Sequence, residues 1–290
     1  MKKGWLIVNA FLTAEKYATM YALLQNAASK LGVSLVLKTT ADLTCAVGDE
    51  ASLFIENKPD FVLFWDKDVS LARRLEKTGV PLFNSATAIE VCDNKIMTAE
   101  RLQQADVPTP DTVIAPKTFE NIGYSDFHFL KKAGERLGYP MVIKEAYGSF
   151  GAQVYLAETE GQAKQILQKI GHKDCLMQRF IGESAGRDIR VNVVGDKVVC
   201  AMLRENENDF RSNISGGGKA SAVTLTEEQE KLAIDACKAL SLDFAGVDIL
   251  LGRDKDLVCE VNSNPHFKSA LDCTGVDVSE CILRYIKEDI

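Results

Sequence analysis

Two carboxylates stand inside apolar runs late in the chain: Asp248 in Gly246-Val247-Asp248-Ile249-Leu250-Leu251, and Glu260 in Leu257-Val258-Cys259-Glu260-Val261-Asn262. Such flanks draw an acid inward, where it is costly unless paired or bound to a metal ion. Glu260 and Asn262 are two apart, so both point to one face of a strand. If the 244–251 and 257–262 segments pair, Asp248 joins them. Two carboxylates and an amide oxygen are then the hard oxygen donors that Mg²⁺ prefers. The same spacing also describes a pair of solvated acids at strand ends.

Cations and glycines supply a complementary chemistry. Lys144 lies in the apolar run Val142-Ile143-Lys144, directly before the loop Gly148-Ser149-Phe150-Gly151. Such a loop can lay backbone N–H groups on phosphate oxygens while a nearby lysine neutralises charge. Gly-x4-Gly-Lys-Ser/Thr occurs nowhere, so this is not a Walker A loop. Lys95 follows Asp93-Asn94, and Arg190, Arg204 and Arg211 alternate with apolar residues or sit in a polar segment. Taken singly, each has a plainer reading: a hairpin loop, a helix-start lysine, surface arginines.

The elements that must position these groups follow from hydrophobic periodicity. Trp5–Val8, Val33–Leu37 and Phe61–Trp65 read as buried strands, separated by a helix through Tyr17–Leu31 and another over residues 49–56. Alternating strands and helices predict a parallel sheet, a half-Rossmann unit. No Gly-x-Gly-x-x-Gly follows its first strand, which disfavours dinucleotide binding there. Asp93 is expected to cap a helix over 94–104. Pro108 and Pro110 then make a stiff connector and a candidate boundary. Helices near 127–137 and over 160–170 flank strands at 141–145 and 153–156. Three antiparallel-looking strands follow, at 174–181, 188–194 and 197–203, with Gly195-Asp196 as a tight turn. Residues 205–219 form a polar loop. Thr226 and Gln229 open a helix to Leu240 with a capping box, and 244–251 with 257–261 close as a hairpin.

Composition narrows the class. The 290 residues, 46% hydrophobic and 26% charged, suffice for about two domains with sizeable cores. A net charge of −7 lacks the global field of a nucleic-acid binder, so any bound anion must be held by a local cluster. Eight cysteines without a Cys-x-x-Cys pair, and three histidines, supply no zinc motif. Most of these cysteines sit in apolar runs as small core residues. Strand-sized apolar runs and a polar start predict a cytoplasmic protein with no membrane span.

The order of these features says more than any one of them. Asp93-Asn94-Lys95, Pro108-x-Pro110, Lys144 with its glycine loop and Gln178-Arg179-Phe180-Ile181 come first. Gly186-Arg187-Asp188-Ile189-Arg190, Asp209-Phe210-Arg211-Ser212-Asn213, Gly246-Val247-Asp248 and Glu260-Val261-Asn262-Ser263-x-Pro265 follow. The succession resembles the ATP-grasp superfamily, in its RimK-like branch of amino-acid (glutamate) ligases, from about residue 90 to the C-terminus. The resemblance implies an α/β half-Rossmann domain (1–92), then an ATP-grasp core of two α+β subdomains (93–181 and 182–290) with the nucleotide cleft between them. It implies that Lys95 and Lys144 hold phosphates under the glycine loop with Ser149, and that Gln178, Arg179, Phe180 and Ile181 form the adenine hinge. Asp188, Arg211, Ser212 and Asn213 match nucleotide-contacting positions. Asp248, Glu260 and Asn262 match the ligands of two Mg²⁺ ions, for which Mn²⁺ can substitute. Arg204 and Arg211 would stabilise charge during transfer.

The implied reaction joins a carboxylate to an amine, such as glutamate, through an acyl phosphate, releasing ADP and phosphate. The partners would be ATP, an amino acid and a carboxylate acceptor on a small molecule, peptide or protein; homo-oligomers are common in the family. The chemistry sets two anions against each other, so metal ions and cations must offset their repulsion. A closing loop must keep water from the acyl phosphate, and residues 148–151 and 205–219 are the candidates. The chain departs from the ribosomal-protein branch at Arg179, where glutamate is usual, at Ser215-Gly216 in place of His-Arg, and at Asn264-Pro265-His266-Phe267 in place of Ser-Pro-Gly-Leu. His266 is the one histidine beside the expected site; a structural loop role is its plainer reading. Two other functions fit the same motifs: an ATP-grasp small-molecule kinase and a non-catalytic ATP-binding regulator.

Overall fold

The computed structural model describes residues 1–43, 58–149, 151–214 and 217–290. The helix expected over 49–56 lies outside the described residues, as do Cys45, Phe150, Ser215 and Gly216. The chain opens with β1 (Lys3–Val8), α1 (Glu15–Lys30), β2 (Ser34–Thr39), β3 (Phe61–Trp65), α2 (Val69–Glu76) and β4 (Leu82–Phe83). These strands form the expected parallel sheet, in the order β2-β1-β3-β4. Both faces of β1 are covered, Leu6 and Val8 on one side and Trp5 and Ile7 on the other, which is why the strand reads as a continuous apolar run. Gly4 admits the Phe61 ring, whose Cζ lies 2.2 Å from where a Cβ would stand.

Two short helices follow, α3 (Ala86–Asp93) and α4 (Lys95–Gln104). Asn94, and not Asp93, caps α4: its side-chain oxygen accepts from the backbone N–H groups of Ile96 and Met97. Asp93 instead ends α3, an apolar helix that the sequence reading missed. Next come β5 (Thr112–Ile114), α5 (His128–Leu137), β6 (Met141–Glu145), β7 (Val154–Ala157), α6 (Glu160–Ile170) and β8 (Cys175–Arg179). They build an antiparallel sheet, β5-β8-β6-β7, over a separate core that holds Leu130, Ile143, Leu167 and Met177. The remainder is β9 (Arg187–Val194), β10 (Lys197–Glu205), β11 (Lys219–Ala222), α7 (Glu227–Ala239), β12 (Phe244–Leu250), β13 (Leu257–Asn262), α8 (Lys268–Thr274) and α9 (Val278–Asp289).

The three strands expected over 174–203 all form in antiparallel sheets, but in two different ones. β8 pairs with β5 and β6, whereas β9 and β10 belong to the five-stranded sheet β11-β10-β9-β12-β13. Alternation along a strand shows which face it buries but not which sheet it joins. The Gly195-Asp196 turn and the Thr226–Gln229 capping box form as expected, with Gly195 at φ 61°.

The five-stranded sheet carries two different faces. Ile189, Val191, Val193, Val247 and Ile249 pack on α7 together with Leu102 and Val107. On the other face, Val194, Cys200, Met202 and Phe244 pack against the N-terminal sheet and the C-terminal helices. There the Trp65 and Phe244 rings stack with centroids 5.6 Å apart. Replacing the fully buried Phe244 by Ala deletes this junction between two sheets. The expected result is a loss of about 3–5 kcal/mol in urea unfolding.

Candidate functional site

Further along those same strands, the face that buries Val194 and Phe244 turns polar. Antiparallel register sets Arg190 opposite Met202 and Asp248, Asp248 opposite Glu260, Arg204 opposite Asp188, and Gly246 opposite Asn262. The hairpin expected from the sequence therefore places Asp248, Glu260 and Asn262 on one face. At Asp248/Ile249 the register slips, so Cys259 becomes the extra residue of a bulge and stands with Glu260 toward the cleft.

Both oxygens of Asp248, which is 5% exposed, are engaged. Arg190 Nε donates to Oδ1, Arg190 NH2 to Oδ2 at 2.8 Å, and Arg204 NH2 lies 3.0 Å from Oδ2. Arg204 also forks onto Asp188, with bonds of 2.7 and 2.5 Å. Burial would raise the Asp248 carboxyl, but the two guanidiniums outweigh it and hold it below the usual carboxylate range. Burial likewise opposes the charge on Arg204, and Asp248 and Asp188 overcome it, keeping the guanidinium charged. The sequence reading brought Asp188, Arg204 and Asp248 together but gave none of them the others as partners.

In front of this face lies a cavity of about 650 Å³, walled by Lys95, Ser149, Arg190, Glu260, Asn262 and Asn213 among others. Lys95 Nζ sits 3.6 Å from Glu260 and donates to the Gly148 carbonyl at 3.0 Å. A narrow slot of about 20 Å³ shares Lys95 and Glu260 with the cavity and runs on between the sheets. Lys144, Gln178, Leu176, Val258 and Cys259 line it. Lys144 is 7% exposed, with Nζ 3.4 Å from the Cys259 sulfur. Burial raises the Cys259 thiol, so Lys144 faces a neutral sulfur.

Of the expected hinge, only Gln178 lines the slot, and its amide donates to the Thr112 hydroxyl at 3.0 Å. Arg179 turns outward to Asp111 and to the carbonyls of Arg136 and Leu137. Phe180 packs edge-on against Phe210, and the Ile181 carbonyl accepts from Ser184 N–H. Ser212 is buried beside Asp188. Arg211 lies outside the cavity lining: it forks onto Asp209 and donates to the Gly151 carbonyl at 2.7 Å. Gly151 has φ +72°, and a Cβ there would meet Asn213 Oδ1 at 2.8 Å. The two glycine-bearing loops are thus clasped together over the cleft.

One whole wall was missed. Asn9, Lys16, Tyr17, Tyr21, Trp65 and Lys67 reach the cavity from the N-terminal sheet and α1. No local signal marks them, since their apolar members also serve that domain's core. Opposite them, Ser263 Oγ, Asn264 Oδ1 and His266 Nε2 are buried without a hydrogen-bond partner. All three residues line the cavity. Burial, with the charges of Lys16 and Arg190 nearby, pushes the His266 imidazole below its usual range, so it is neutral at pH 7. Phe267 points the other way, fully buried and edge-on to Trp65.

The donor set fits a hard divalent cation: Glu260 and Asn262 line the cavity and Asp248 stands beside Glu260 in register. Among the described residues no three of His, Cys, Asp and Glu converge on one point, so such a site depends on Asn262. Also among the described residues, no helix is long and apolar enough to cross a membrane.

Residues 92–286 match the family model of the RimK-like ATP-grasp domain. The chain is 33% identical over 270 residues to an uncharacterized Mycoplasma genitalium protein, MG012, across 91% of this chain and 92% of that one. It is 37% identical over 223 residues to human N-acetylaspartylglutamate synthase A, across 76% of this chain and 56% of the other. In three dimensions it resembles a RimK domain ATP-grasp protein of Sphaerobacter thermophilus, with a TM-score of 0.73, 21% identity, and coverage of 97% and 98%.

The clasp at Gly151 can be tested without any substrate. Replacing Arg211 by Gln removes a charge-assisted bond worth roughly 1.5 kcal/mol, so amide hydrogens of the two loops should exchange about tenfold faster. The five-stranded sheet should keep its protection. Faster exchange spread evenly over the chain would contradict the clasp.

Proposed function

The chain belongs to the RimK-like ATP-grasp family, and from that premise we propose that it is an ATP-dependent carboxylate–amine ligase. The observation that carries this reading is the junction of slot and cavity at Lys95 and Glu260. The slot has the volume of about one water as it stands; with apolar walls and Lys144, it marks the seam where the two sheets would part to take a base and its phosphates. The cavity suits the two substrates that react at the far phosphate. In this reading residues 1–92 close the substrate side, while 93–181 and 182–290 enclose the nucleotide.

Each side chain then has a task. Gln178, with the backbone of Arg179, Phe180 and Ile181, reads the adenine edge. Lys95, Lys144 and Ser149 hold phosphate oxygens, and Ser212 and Asn213 close over the nucleotide beside Asp188. Asp248, Glu260 and Asn262 would hold Mg²⁺, which supplies charge neutralisation between the reacting anions. The substrate carboxylate attacks the γ-phosphate, and Arg204, fixed by Asp188, faces the developing charge. Arg211 holds the loops shut, which keeps water from the acyl phosphate until an amine displaces phosphate. Ser263, Asn264 and His266 line the substrate side, where side-chain rotation would turn their buried, unpartnered atoms to the incoming pair.

The substrates follow from the relatives in outline. The human relative is named for making N-acetylaspartylglutamate, so glutamate leads as the amine and an acylated dicarboxylate as the acyl donor. The lysines and arginines of the cavity suit both, since arginine takes a carboxylate bidentately.

A phosphate-release screen of carboxylates against amino acids, read out by mass spectrometry, tests the proposal. The expected product is heavier than its acid by the amine minus water, and hydroxylamine should trap the acyl phosphate as a hydroxamate. A stable phosphoester would identify a kinase; AMP with pyrophosphate would also refute the mechanism; and no turnover would favour a regulator. Replacing Glu260 by Gln should lower kcat by about a hundredfold or more, a typical loss for one preorganised electrostatic group. ATP should still bind to that variant through the slot.

A further inference from the structure

Arg190 has a divided position. Its Nε and NH2 are spent on Asp248, yet the side chain lines the substrate cavity. It lies across Gly246, where a Cβ would meet Arg190 Cδ and NH1 at 3.2 Å each and the Pro265 ring at 2.8 Å. The absence of a side chain at 246 therefore makes the channel that the guanidinium occupies. Asp248, for its part, has both oxygens covered by cations. Two guanidiniums fill Oδ2 and Arg190 Nε takes one side of Oδ1, so one lone-pair site of about four is left, and a divalent cation seated there would stand beside the Arg190 guanidinium. Charge repulsion then presses one partner to yield. Arg204 is anchored independently by its fork onto Asp188, whereas the fork of Arg190 goes to Asp248. Arg190 is the partner that can leave.

We propose that Arg190 is a substrate-anion anchor gated by Asp248. With no cation present, Asp248 holds the guanidinium. When Asp248 turns to a divalent cation, the fork of Arg190 is released toward the cavity, where it takes a substrate carboxylate or the phosphoryl oxygens of the intermediate. The released donors stay within the cavity wall, near Asn262 and His266, so the anion is bound where the two substrates meet. Cation and anion thereby favour one another although neither needs to touch the other. By linkage the effect is reciprocal: a bound anion strengthens cation binding by the same factor. It also orders the reaction, since the acid is gripped only after the metal–nucleotide has arrived. The inference rests on the assignment of Asp248 as a metal ligand made under the proposed function.

The test measures metal affinity, not turnover. Mn²⁺ binding to the full chain is followed by electron paramagnetic resonance, with and without inorganic phosphate as the anion probe. Wild type is compared with Arg190→Lys and Arg190→Gln. The lysine keeps the charge but loses the fork, so the gate predicts tighter Mn²⁺ binding in both variants, by about 5- to 150-fold, the usual span of coupling between sites. Phosphate should tighten Mn²⁺ binding in wild type by a similar factor and in the variants by much less. Both variants leave Asp248 paired with Arg204, and thermal melting confirms folding. If Arg190→Lys binds Mn²⁺ as wild type does while only Arg190→Gln binds tighter, charge alone is at work and the gate is overturned. Equal phosphate coupling in all three proteins overturns it as well. Either failure leaves hydroxamate formation by the wild-type enzyme untouched, whereas wild-type protein that forms no hydroxamate and binds no Mn²⁺ overturns the ligase reading itself.

Discussion

The site depends on a buried ionic row. Arg190, Asp248, Arg204 and Asp188 lie on one face of a sheet whose other face packs an apolar core. Charges are tolerated there because each finds an opposite partner with directional hydrogen bonds, two arginines against two aspartates. Removing any one would leave an uncompensated charge in a dry place. The row holds the arginines at fixed points of the cleft floor, but it also occupies the carboxylate that a metal would use. In the proposed ligase, the buried row and the metal ion would therefore compete for Asp248.

The sheet reconciles these demands by dividing a single face lengthwise. Near Val194, Cys200, Met202 and Phe244 it is apolar and supports the N-terminal sheet. A few residues further along it is charged and lines the cavity. β9 and β12 keep their alternation throughout their pairing, so the change from core to site needs no new element. The bulge at Cys259 adds a local adjustment that brings two adjacent residues of β13 to the cleft side.

The segment after β13 shows the same division between neighbours. Phe267 completes an aromatic cluster with Trp65 and Phe244, while His266 and Asn264 keep unpartnered atoms in the cavity wall. The Asn264 amide also donates to the Asp66 carbonyl at 2.9 Å, linking that wall to the N-terminal domain. Where the chain departs from the ribosomal-protein pattern, Phe267 thus packs in the aromatic cluster while its neighbour His266 lines the cavity. An N-terminal domain fixed in this way shapes one wall of the cavity.

Much of this was readable from residues alone, because the relevant forces are local. Period-two and period-3.6 patterns gave most strands and helices, Gly195 and the Thr226–Gln229 pair gave a turn and a cap, and the spacing of Glu260 and Asn262 gave a shared face. The order of motifs gave the family. What the tertiary structure decided involves partners far apart in the chain. Alternation could not tell that β8 joins the sheet of β5 and β6, since strands of either sheet bury one face alike. Nothing near Asp248 announced Arg190, 58 residues away, or the wall contributed by Tyr17, Trp65 and Lys67. An apolar run states that a carboxylate will be buried; which charge meets it is settled only by the register of strands brought together in space.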